Sequence, residues 1–197
     1  GEQMDEEMRS LKLAKKAGRG NADAYGQLIT KYQEYLYKMA FLYMKNQQDA
    51  LDVVGTTILK GFQNIKTLKN PEWFKTWITR ILINTANDEL KKIVYFSDIE
   101  EVRISKQDKG VSLEEKCDLE NAVNRLPEKY RVVIILKYYS GFSVNEIAYA
   151  IEVPVGTVKA YLSRGRDELK KYLKEDYLYA DHRSEEHTSE LQSRQVI

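Results

Sequence analysis

The sequence predicts an all-α protein made of two small helical domains, and three observations lead to that prediction. The 197 residues include 10 glycines and only 3 prolines, so few positions interrupt a helix. Apolar residues recur at the helical period along most of the chain, without a convincing strand pattern. Between 93 and 112 the periodicity fails and charge accumulates, which is typical of a flexible linker. We therefore expect domains at 1–92 and 113–176, joined by an acidic linker at 93–112 and followed by a disordered tail at 177–197.

The first two helices are marked by their ends. A short basic helix is predicted to stop at Gly18 and Gly20, because glycine readily adopts the left-handed conformation that ends a helix. A long amphipathic helix then runs over 24–45, and Asn21 or Asp23 can cap its first turn.

Two further helices complete the first domain. The third is predicted from about 50 to 65, with its large apolar residues facing the core. These inward residues are Leu51, Val54, Ile58, Leu59, Phe62 and Ile65. After a loop, Asn70 and Pro71 open the fourth helix as cap and first-turn residue. Its residues Trp73 and Trp77, four apart among other apolar side chains, are expected to be core.

The second domain begins with two short helices. Ser112 and Glu115 have the spacing of a capping box, and the helix that they open continues to Pro127. The next helix covers 128–139 and is closed by Gly141. The segment that follows, which starts at Gly141, carries the most specific pattern in the sequence.

That stretch, GFSVNEIAYAIEVPVGTVKAYLSRGRDELKKYL, predicts a pair of helices joined by a tight turn. Ser143 and Glu146 can bond each other's backbone N–H groups, while Phe142 packs on Ile147 as a hydrophobic staple. Pro154 ends the first helix, because proline lacks the N–H that would continue it.

The second helix of the pair is predicted to enter a DNA major groove. One stripe is apolar and packs on the first helix; it comprises Val155, Val158, Leu162 and Leu169. The outward residues are short or basic, which suits approach to base edges and phosphates. They are Thr157, Lys159, Ala160, Ser163, Arg164, Arg166, Lys170 and Lys171. The alternative is a helical hairpin whose basic face is only solvated.

Composition excludes several classes of protein. The single Cys117 excludes an internal disulfide framework and fits a reducing cytoplasm. His182 and His187 both lie in the tail, so the body offers no imidazole for general-base or zinc chemistry, and we expect no enzyme activity, metal or cofactor. No apolar run is long enough for a bilayer. The segment 183–193 resembles translated sequencing adapter and is assigned no function.

Three stretches in this order resemble the extracytoplasmic-function sigma factors, a group within the sigma-seventy class of bacterial RNA polymerase specificity subunits. DALDVVGTTILKGFQNI resembles the polymerase-binding helix of region two, and NPEWFKTWITRILINTANDELKK resembles the adjoining promoter-opening helix. LPEKYRVVIILKYYSGFSVNEIAYAIEVPVGTVKAYLSRGRDELKKYL resembles region four. The resemblance implies a cytoplasmic sigma factor that binds core RNA polymerase and directs promoter-specific initiation by recognising minus-thirty-five and minus-ten elements.

The resemblance also implies a polymerase-binding surface on the third helix, facing the clamp coiled coil of the large subunit. The implied residues are Asp49, Asp52, Val53, Thr57, Lys60 and Asn64. One departure falls in this helix: Gly55 and Thr56 stand where the family usually has a glutamine-glutamate pair.

Two DNA-binding sets follow from the same resemblance. For the minus-ten element, the loop 66–70 is implied as a pocket for an extruded base, with the parted strand lying along the fourth helix. The implied residues are Lys69, Asn70, Arg80, Asn84, Asp88, Lys91 and Lys92. For the minus-thirty-five element they are Thr157, Lys159, Ala160, Tyr161, Ser163, Arg164 and Arg166.

Kinship further implies an anti-sigma factor as partner, which in this family can be membrane-anchored. A stand-alone helix-turn-helix regulator is the main rival hypothesis, although the first domain lacks the alternating βα pattern of a receiver. Two weaker rivals are a recombinase or nuclease with a DNA-binding tail, and a scaffold of helical hairpins.

Overall fold

A computed structural model describes residues 1–99 and 118–193. Within these ranges the chain forms helices, short turns and no strand, which confirms the all-α prediction. The helices are α1 (Glu2–Gly18), α2 (Ala22–Met44), α3 (Gln47–Asn64), α4 (Phe74–Ile99), α5 (Asp118–Arg125), α6 (Glu128–Tyr138), α7 (Val144–Ile151) and α8 (Val155–Ser193). Two 3-10 turns, Ile65–Thr67 and Pro71–Trp73, connect α3 to α4.

The chain divides into two compact units. The first contains α1 to α4, and the second contains α5, α6, α8 and most of α7. Each unit has its own apolar core. The largest fully buried side chains of the first unit include Leu28, Leu36, Met39, Ile78 and Leu82.

The inner face of α3 is built from small residues. Ala50, Val53, Thr57 and Gly61 are all buried and recur every three or four positions. A Cβ added to Gly61 would lie 2.7 Å from Cδ1 of Ile78 and against the hydroxyl of Tyr25. The absence of a side chain at Gly61 therefore lets α3 pack closely on α2 and α4.

This close packing corrects the predicted orientation of α3. Leu51, Leu59 and Phe62 were expected in the core, but their side chains are 48%, 58% and 43% exposed. Only one side of the helix can face its neighbours, and the small residues occupy that side. The large apolar residues of α3 consequently form part of the protein surface.

Helix α4 is longer than the sequence pattern predicted. The linker was expected to start at 93, yet α4 continues to Ile99. The stretch Ile93–Phe96 contains neither glycine nor proline, so nothing in it stops the helix, although its side chains are exposed. The rest of the predicted linker, and the capping box at Ser112 and Glu115, fall outside the described residues.

The second unit is organised by contacts of α8 with α5 and α6. Gly165 of α8 is buried against α6, where an added Cβ would lie 3.0 Å from Cγ1 of Ile134. Val133, Leu136, Ile147 and Val158 are fully buried and form the centre of this unit.

Helix α8 also departs from the prediction, because it continues to Ser193 where a disordered tail was expected from 177. After Gly165 the sequence has no glycine or proline, so no residue ends the helix by its backbone chemistry.

Candidate nucleic-acid and partner interfaces

The capping box predicted at the start of α7 is confirmed. The backbone N–H of Ser143 donates to Oε2 of Glu146 at 2.8 Å, and the N–H of Glu146 donates to Oγ of Ser143 at 3.2 Å. Phe142 and Ile147 are 3% and 0% exposed, consistent with the predicted staple. These contacts fix where α7 begins.

The turn between α7 and α8 is tight. Glu152 adopts a left-handed conformation with φ of 59°, which is unusual for a residue with a Cβ. The N–H of Val153 donates to the carbonyl of Ala148 at 3.2 Å, and that of Val158 donates to Pro154 at 3.1 Å. Two helices joined in this way have the arrangement of a helix-turn-helix.

The outer face of α8 matches the set predicted to read duplex DNA. Five of its residues are exposed: Lys159, Ala160, Ser163, Arg164 and Arg166. Thr157 and Tyr161 are half-buried, while Val158 and Leu162 point into the core. The short Ala160 and Ser163 leave room for a base edge, and Arg164 offers a forked donor beside them.

Two members of the set are held by neighbouring aromatic groups. Arg166 donates from its guanidinium to the hydroxyl of Tyr138 at 3.1 Å. The ring of Tyr161 meets that of Tyr130 edge-on, with centroids 5.7 Å apart, and the ammonium of Lys129 lies 5.1 and 5.7 Å from the two centroids. These contacts orient the edges of the α8 face.

The first unit has a groove between α3, the connecting turns and α4. Its walls combine cationic, amide and aromatic side chains. The lining residues are Lys60, Asn64, Thr67, Leu68, Lys69, Asn70, Trp73, Trp77, Arg80, Ile81, Asn84 and Thr85. The groove thus brings together Lys69, Asn70, Arg80 and Asn84 of the predicted minus-ten set.

Hydrogen bonds fix the loop that borders the groove. Nε1 of Trp77 donates to Oγ1 of Thr67 at 3.3 Å, and that hydroxyl donates to the carbonyl of Asn64 at 2.7 Å. Oδ1 of Asn70 accepts from the N–H of Glu72 at 3.1 Å. Trp77 is buried as expected, whereas Trp73 is only half-buried and lines the groove.

Four of the six residues implied for polymerase binding do not lie on the outer face of α3. Val53 and Thr57 are 1% and 0% exposed, and Oγ1 of Thr57 donates to the carbonyl of Val53 at 2.7 Å. Lys60 and Asn64 turn toward the groove, where Nζ of Lys60 lies 3.4 Å from Oγ1 of Thr85. The reason is the inner stripe of small residues, which sets the rotation of α3 and leaves Asp49 half-buried and Asp52 exposed.

Of the residues that α3 does present, the sequence predicted Asp52 as outward and missed the apolar ones. The exposed residues form one stripe along the helix: Leu51, Asp52, Gly55, Leu59 and Phe62. We call this set the α3 stripe. A line of small residues at 50, 53, 57 and 61 was the signal that could have revealed it.

The far end of α4 carries the remaining minus-ten residues. Asp88, Lys91 and Lys92 are exposed there. Nζ of Lys92 donates to Oε1 of Glu89 at 2.8 Å, and the hydrogen bond and charge of Glu89 raise the pKa of the Lys92 ammonium. Lys92 therefore keeps its positive charge further into the alkaline range than an isolated lysine.

Two negative findings apply to the described residues. No group of three or more His, Cys, Asp and Glu side chains among them is placed to hold a metal ion. Among their helices, none has both the length and the apolar character needed to cross a bilayer.

Family models match both units. The model for sigma-70 region 2 matches residues 28–93, and that for sigma-70 region 4 matches residues 118–169. The chain belongs to the sigma-70 family.

Its curated relatives place it more narrowly. The ECF RNA polymerase sigma factor SigW of Bacillus subtilis is 29% identical over 86% of this chain and 99% of its own length. RNA polymerase sigma factor SigV of the same organism is 36% identical over 69% of this chain and 82% of its own length. The ECF RNA polymerase sigma-E factor of Escherichia coli is 27% identical over 83% of this chain and 94% of its own length. The chain is an ECF sigma factor, a promoter-recognising subunit of RNA polymerase.

Solved structures share the fold. CnrH, in complex with the cytosolic domain of CnrY, superposes with a TM-score of 0.61 at 22% identity and covers 85% of this chain and 99% of its own. The sigma factor RpoE of Bartonella quintana, in complex with the anti-sigma factor NepR, gives a TM-score of 0.61 at 25% identity. The match covers 76% of this chain and 96% of the RpoE chain.

Proposed function

We propose that the two units grip separate parts of a promoter while the first also holds the polymerase. The observation that carries this proposal is the presence of matches to region 2 and region 4 in one chain and in this order. A stand-alone regulator would need only the second of them. On this proposal the protein acts by binding, without catalysis of its own, in the cytoplasm where polymerase works.

Transcription in vitro tests the proposal directly. Purified core polymerase, incubated with a library of promoter fragments, should initiate at specific sites only when this chain is added. Initiation that is equally frequent without it, or failure of the chain to associate with core polymerase, would overturn the proposal.

The α3 stripe is our proposed polymerase-docking surface, in place of the buried Val53 and Thr57. Leu51, Leu59 and Phe62 supply apolar area on one side of the helix, with Asp52 at its margin. Apolar side chains at the centre of an interface account for much of its affinity when water is excluded.

A matched pair of variants tests the docking surface. Leu59→Glu should weaken association with core polymerase by at least tenfold, because it places a charge in an apolar contact. Met4→Glu is the control, since Met4 is also exposed, at 71%, but lies on α1. Equal effects of the two variants in a binding titration would argue against the α3 stripe.

We propose that the groove holds an unstacked base of the minus-ten element, and that Lys60 and Asn64 belong to this site. Asn64, Asn70 and Asn84 supply amides for a base edge, and Lys60 with Lys69 and Arg80 supplies positive charge for phosphates. Oδ1 of Asn70 accepts one hydrogen bond in a cap, and its amide nitrogen can donate to DNA.

Forked promoter probes separate this role from polymerase docking. Lys60→Ala should weaken binding of the polymerase complex to a probe with parted strands and leave polymerase association unchanged. If Lys60→Ala instead weakens polymerase association and leaves binding to the forked probe unchanged, Lys60 belongs to the polymerase-binding surface.

An anti-sigma factor is a proposed partner. The structures of CnrH and RpoE are both complexes with another protein, named in the second case as an anti-sigma factor. Such an inhibitor, membrane-anchored or free, would act by covering the α3 stripe or the α8 face.

A further inference from the structure

The second half of α1 presents a surface that consists of cations. Between 9 and 19, every exposed side chain is basic, and the other residues are buried or half-buried. The exposed residues are Arg9, Lys12, Lys15, Lys16 and Arg19. The acids of α1 all lie at its other end, between 2 and 7. Positive charge is therefore concentrated on one half of the helix.

Helical spacing gathers four of these cations on one side of α1. They follow one another at intervals of three, one and three residues, which keeps them together on the surface of a helix. They are Lys12, Lys15, Lys16 and the capping residue Arg19, and we call them the α1 basic face. Ala14 and Ala17, on the opposite side, are 1% and 0% exposed. The helix thus packs through small residues and turns the four cations to solvent.

The four cations of the α1 basic face form no side-chain ion pair or hydrogen bond within the described residues. Two lysines of α2 behave differently, since Nζ of Lys31 lies 3.3 Å from Oε1 of Glu6 and Nζ of Lys38 lies 2.6 Å from Oε1 of Glu34. The helix dipole favours cations in a last turn, but its effect fades beyond that turn, and Lys12 lies outside it. Stabilisation of α1 itself therefore does not account for the whole face.

Helix α1 adjoins the loop that borders the groove. It packs against both 3-10 turns that connect α3 to α4. The same loop carries Lys66 and Lys69, which are exposed, and Lys69 lines the groove. On the proposed function, DNA held by the groove would therefore run close to α1.

The composition of the α1 basic face favours duplex DNA as its occupant. From Lys12 to Arg19 the face extends about 10 Å, at about 1.5 Å per residue, and about 10 Å of duplex carries about six phosphates. Protein interfaces depend on large anchoring side chains in apolar surroundings, and single strands bind by stacking on aromatic rings. Neither apolar nor aromatic side chains are exposed between 9 and 19.

We propose that the α1 basic face binds the phosphates of the duplex that flanks the minus-ten element, and that it raises promoter affinity without reading sequence. The proposal rests on the proposed function of the groove, which brings DNA to the first unit. Contacts to phosphates contribute equally on every sequence, because phosphates carry no base identity.

The salt dependence of binding tests this contact. With the full chain and core polymerase, Lys12→Gln combined with Lys16→Gln should reduce the slope of log affinity against log salt by about 1.8, on a forked minus-ten probe with a duplex flank. Between about 50 and about 200 mM salt, the wild type should then lose about 12-fold more affinity than the variant. Glutamine preserves helix propensity. Lys12→Arg combined with Lys16→Arg keeps both charges and should bind as the wild type does.

Lys45→Asn is the control for loss of charge alone. Lys45 is exposed and caps the C-terminal end of α2, in a left-handed conformation that asparagine tolerates. This variant should leave the salt slope unchanged on the same probe.

Four results on DNA would overturn the proposal. They are an unchanged slope for the double glutamine variant, an equal change for Lys45→Asn, an equal change on a probe whose flank is single-stranded, and a loss confined to one flanking sequence. Weaker association with core polymerase in the absence of DNA would identify a protein contact and overturn it as well. A wild-type chain that bound neither polymerase nor promoter would instead refute the proposed function.

Discussion

Gly61 lies where α3 packs closely on α2 and α4. The effect of replacing it on the free energy of unfolding can therefore be predicted. Gly61→Ala should destabilise the protein by about 1–3 kcal/mol, because the new methyl group would overlap Ile78 and the hydroxyl of Tyr25. Gly55→Ala, in the same helix, is the control: no atom lies within 4 Å of an added Cβ, and a gain of up to about 1 kcal/mol is expected.

Urea unfolding of the two variants checks this difference. A second comparison sharpens it, since Tyr25→Phe removes the hydroxyl that the Gly61→Ala methyl would meet. The Gly61→Ala substitution should therefore cost less in the Tyr25→Phe background. Strict additivity of the two changes would show that Tyr25 is not the obstacle.

Tyr25 also predicts a pH dependence. Its hydroxyl donates to the carbonyl of Ile58 at 2.6 Å, and burial raises the pKa of the phenol well above its usual value near 10. The folded state therefore keeps the proton after the unfolded chain has lost it, so stability is full below about pH 10 and falls as the pH rises further.

The measurement is the free energy of unfolding between about pH 8 and pH 11.5. Wild type should lose stability more steeply than Tyr25→Phe above about pH 10, by up to about 1.4 kcal/mol per pH unit. Parallel curves would show that the Tyr25 proton is not linked to folding.

Arg164 tests the reading of duplex DNA at a single side chain. If its guanidinium contacts a base, Arg164→Ala should cost about 1–3 kcal/mol of promoter affinity and relax sequence preference at that position. A uniform loss on matched and scrambled promoters, with a salt slope reduced by about one, would make it a phosphate contact instead. Binding titrations at several salt concentrations separate the two.

At the scale of elements, the stability of α7 depends on the capping box of Ser143 and Glu146 at its N-terminus. It has only eight residues, and a helix so short is marginal without capping and tertiary packing. Ser143→Ala should destabilise the protein by about 0.5–2 kcal/mol, because the N–H of Glu146 loses its acceptor. Thermal unfolding measures this, and Ser143→Asp should retain most of the stability; equal losses for both would argue against the cap.

The elements also show what the sequence could and could not predict. Helix ends were predictable where local chemistry decides them, as at the end of α1, where Gly20 is left-handed, and at the Ser143 box. Asn70 caps the 3-10 turn Pro71–Trp73 instead of α4 itself, which begins three residues later than predicted, at Phe74. The rotation of α3 was not predictable, because periodicity alone does not say whether large or small residues face inward. Close helix packing around Gly61 decided that question, and it reversed the expected roles of Leu59 and Val53.

The candidate sites also differ in how far the sequence alone predicts them. The α8 face was predictable, since its apolar stripe and its short outward residues alternate clearly. The groove was predictable only in part, because Lys60 reaches it from a different helix through a tertiary contact with Thr85. The extent of α4 was not predictable from its charge pattern, because a rise in charge does not end a helix that contains no breaker before Ile99.

For the whole molecule, the proposed function assigns one DNA contact to each of the two compact units. Arg164→Ala and Asn84→Ala should each weaken binding of the polymerase complex, and their free-energy costs should add within about 0.5 kcal/mol because the sites are independent. Quantitative footprinting of the full promoter measures this sum.

Altered promoters provide the cross-check. On a promoter with a scrambled minus-thirty-five element, Arg164→Ala should lose most of its effect while Asn84→Ala keeps its own. If both variants respond equally to either scrambled element, the two units do not read separate sites.

The outward positions of α8 have a consequence for how such proteins diversify. Ala160 and Ser163 are exposed and contribute nothing to the packed interior, so they can be exchanged with little effect on folding. On the proposed function, one or two such exchanges would change the promoter sequence that the protein prefers while leaving its fold intact. The scaffold beneath, set by Val158, Leu162 and the glycine at 165, would be inherited unchanged.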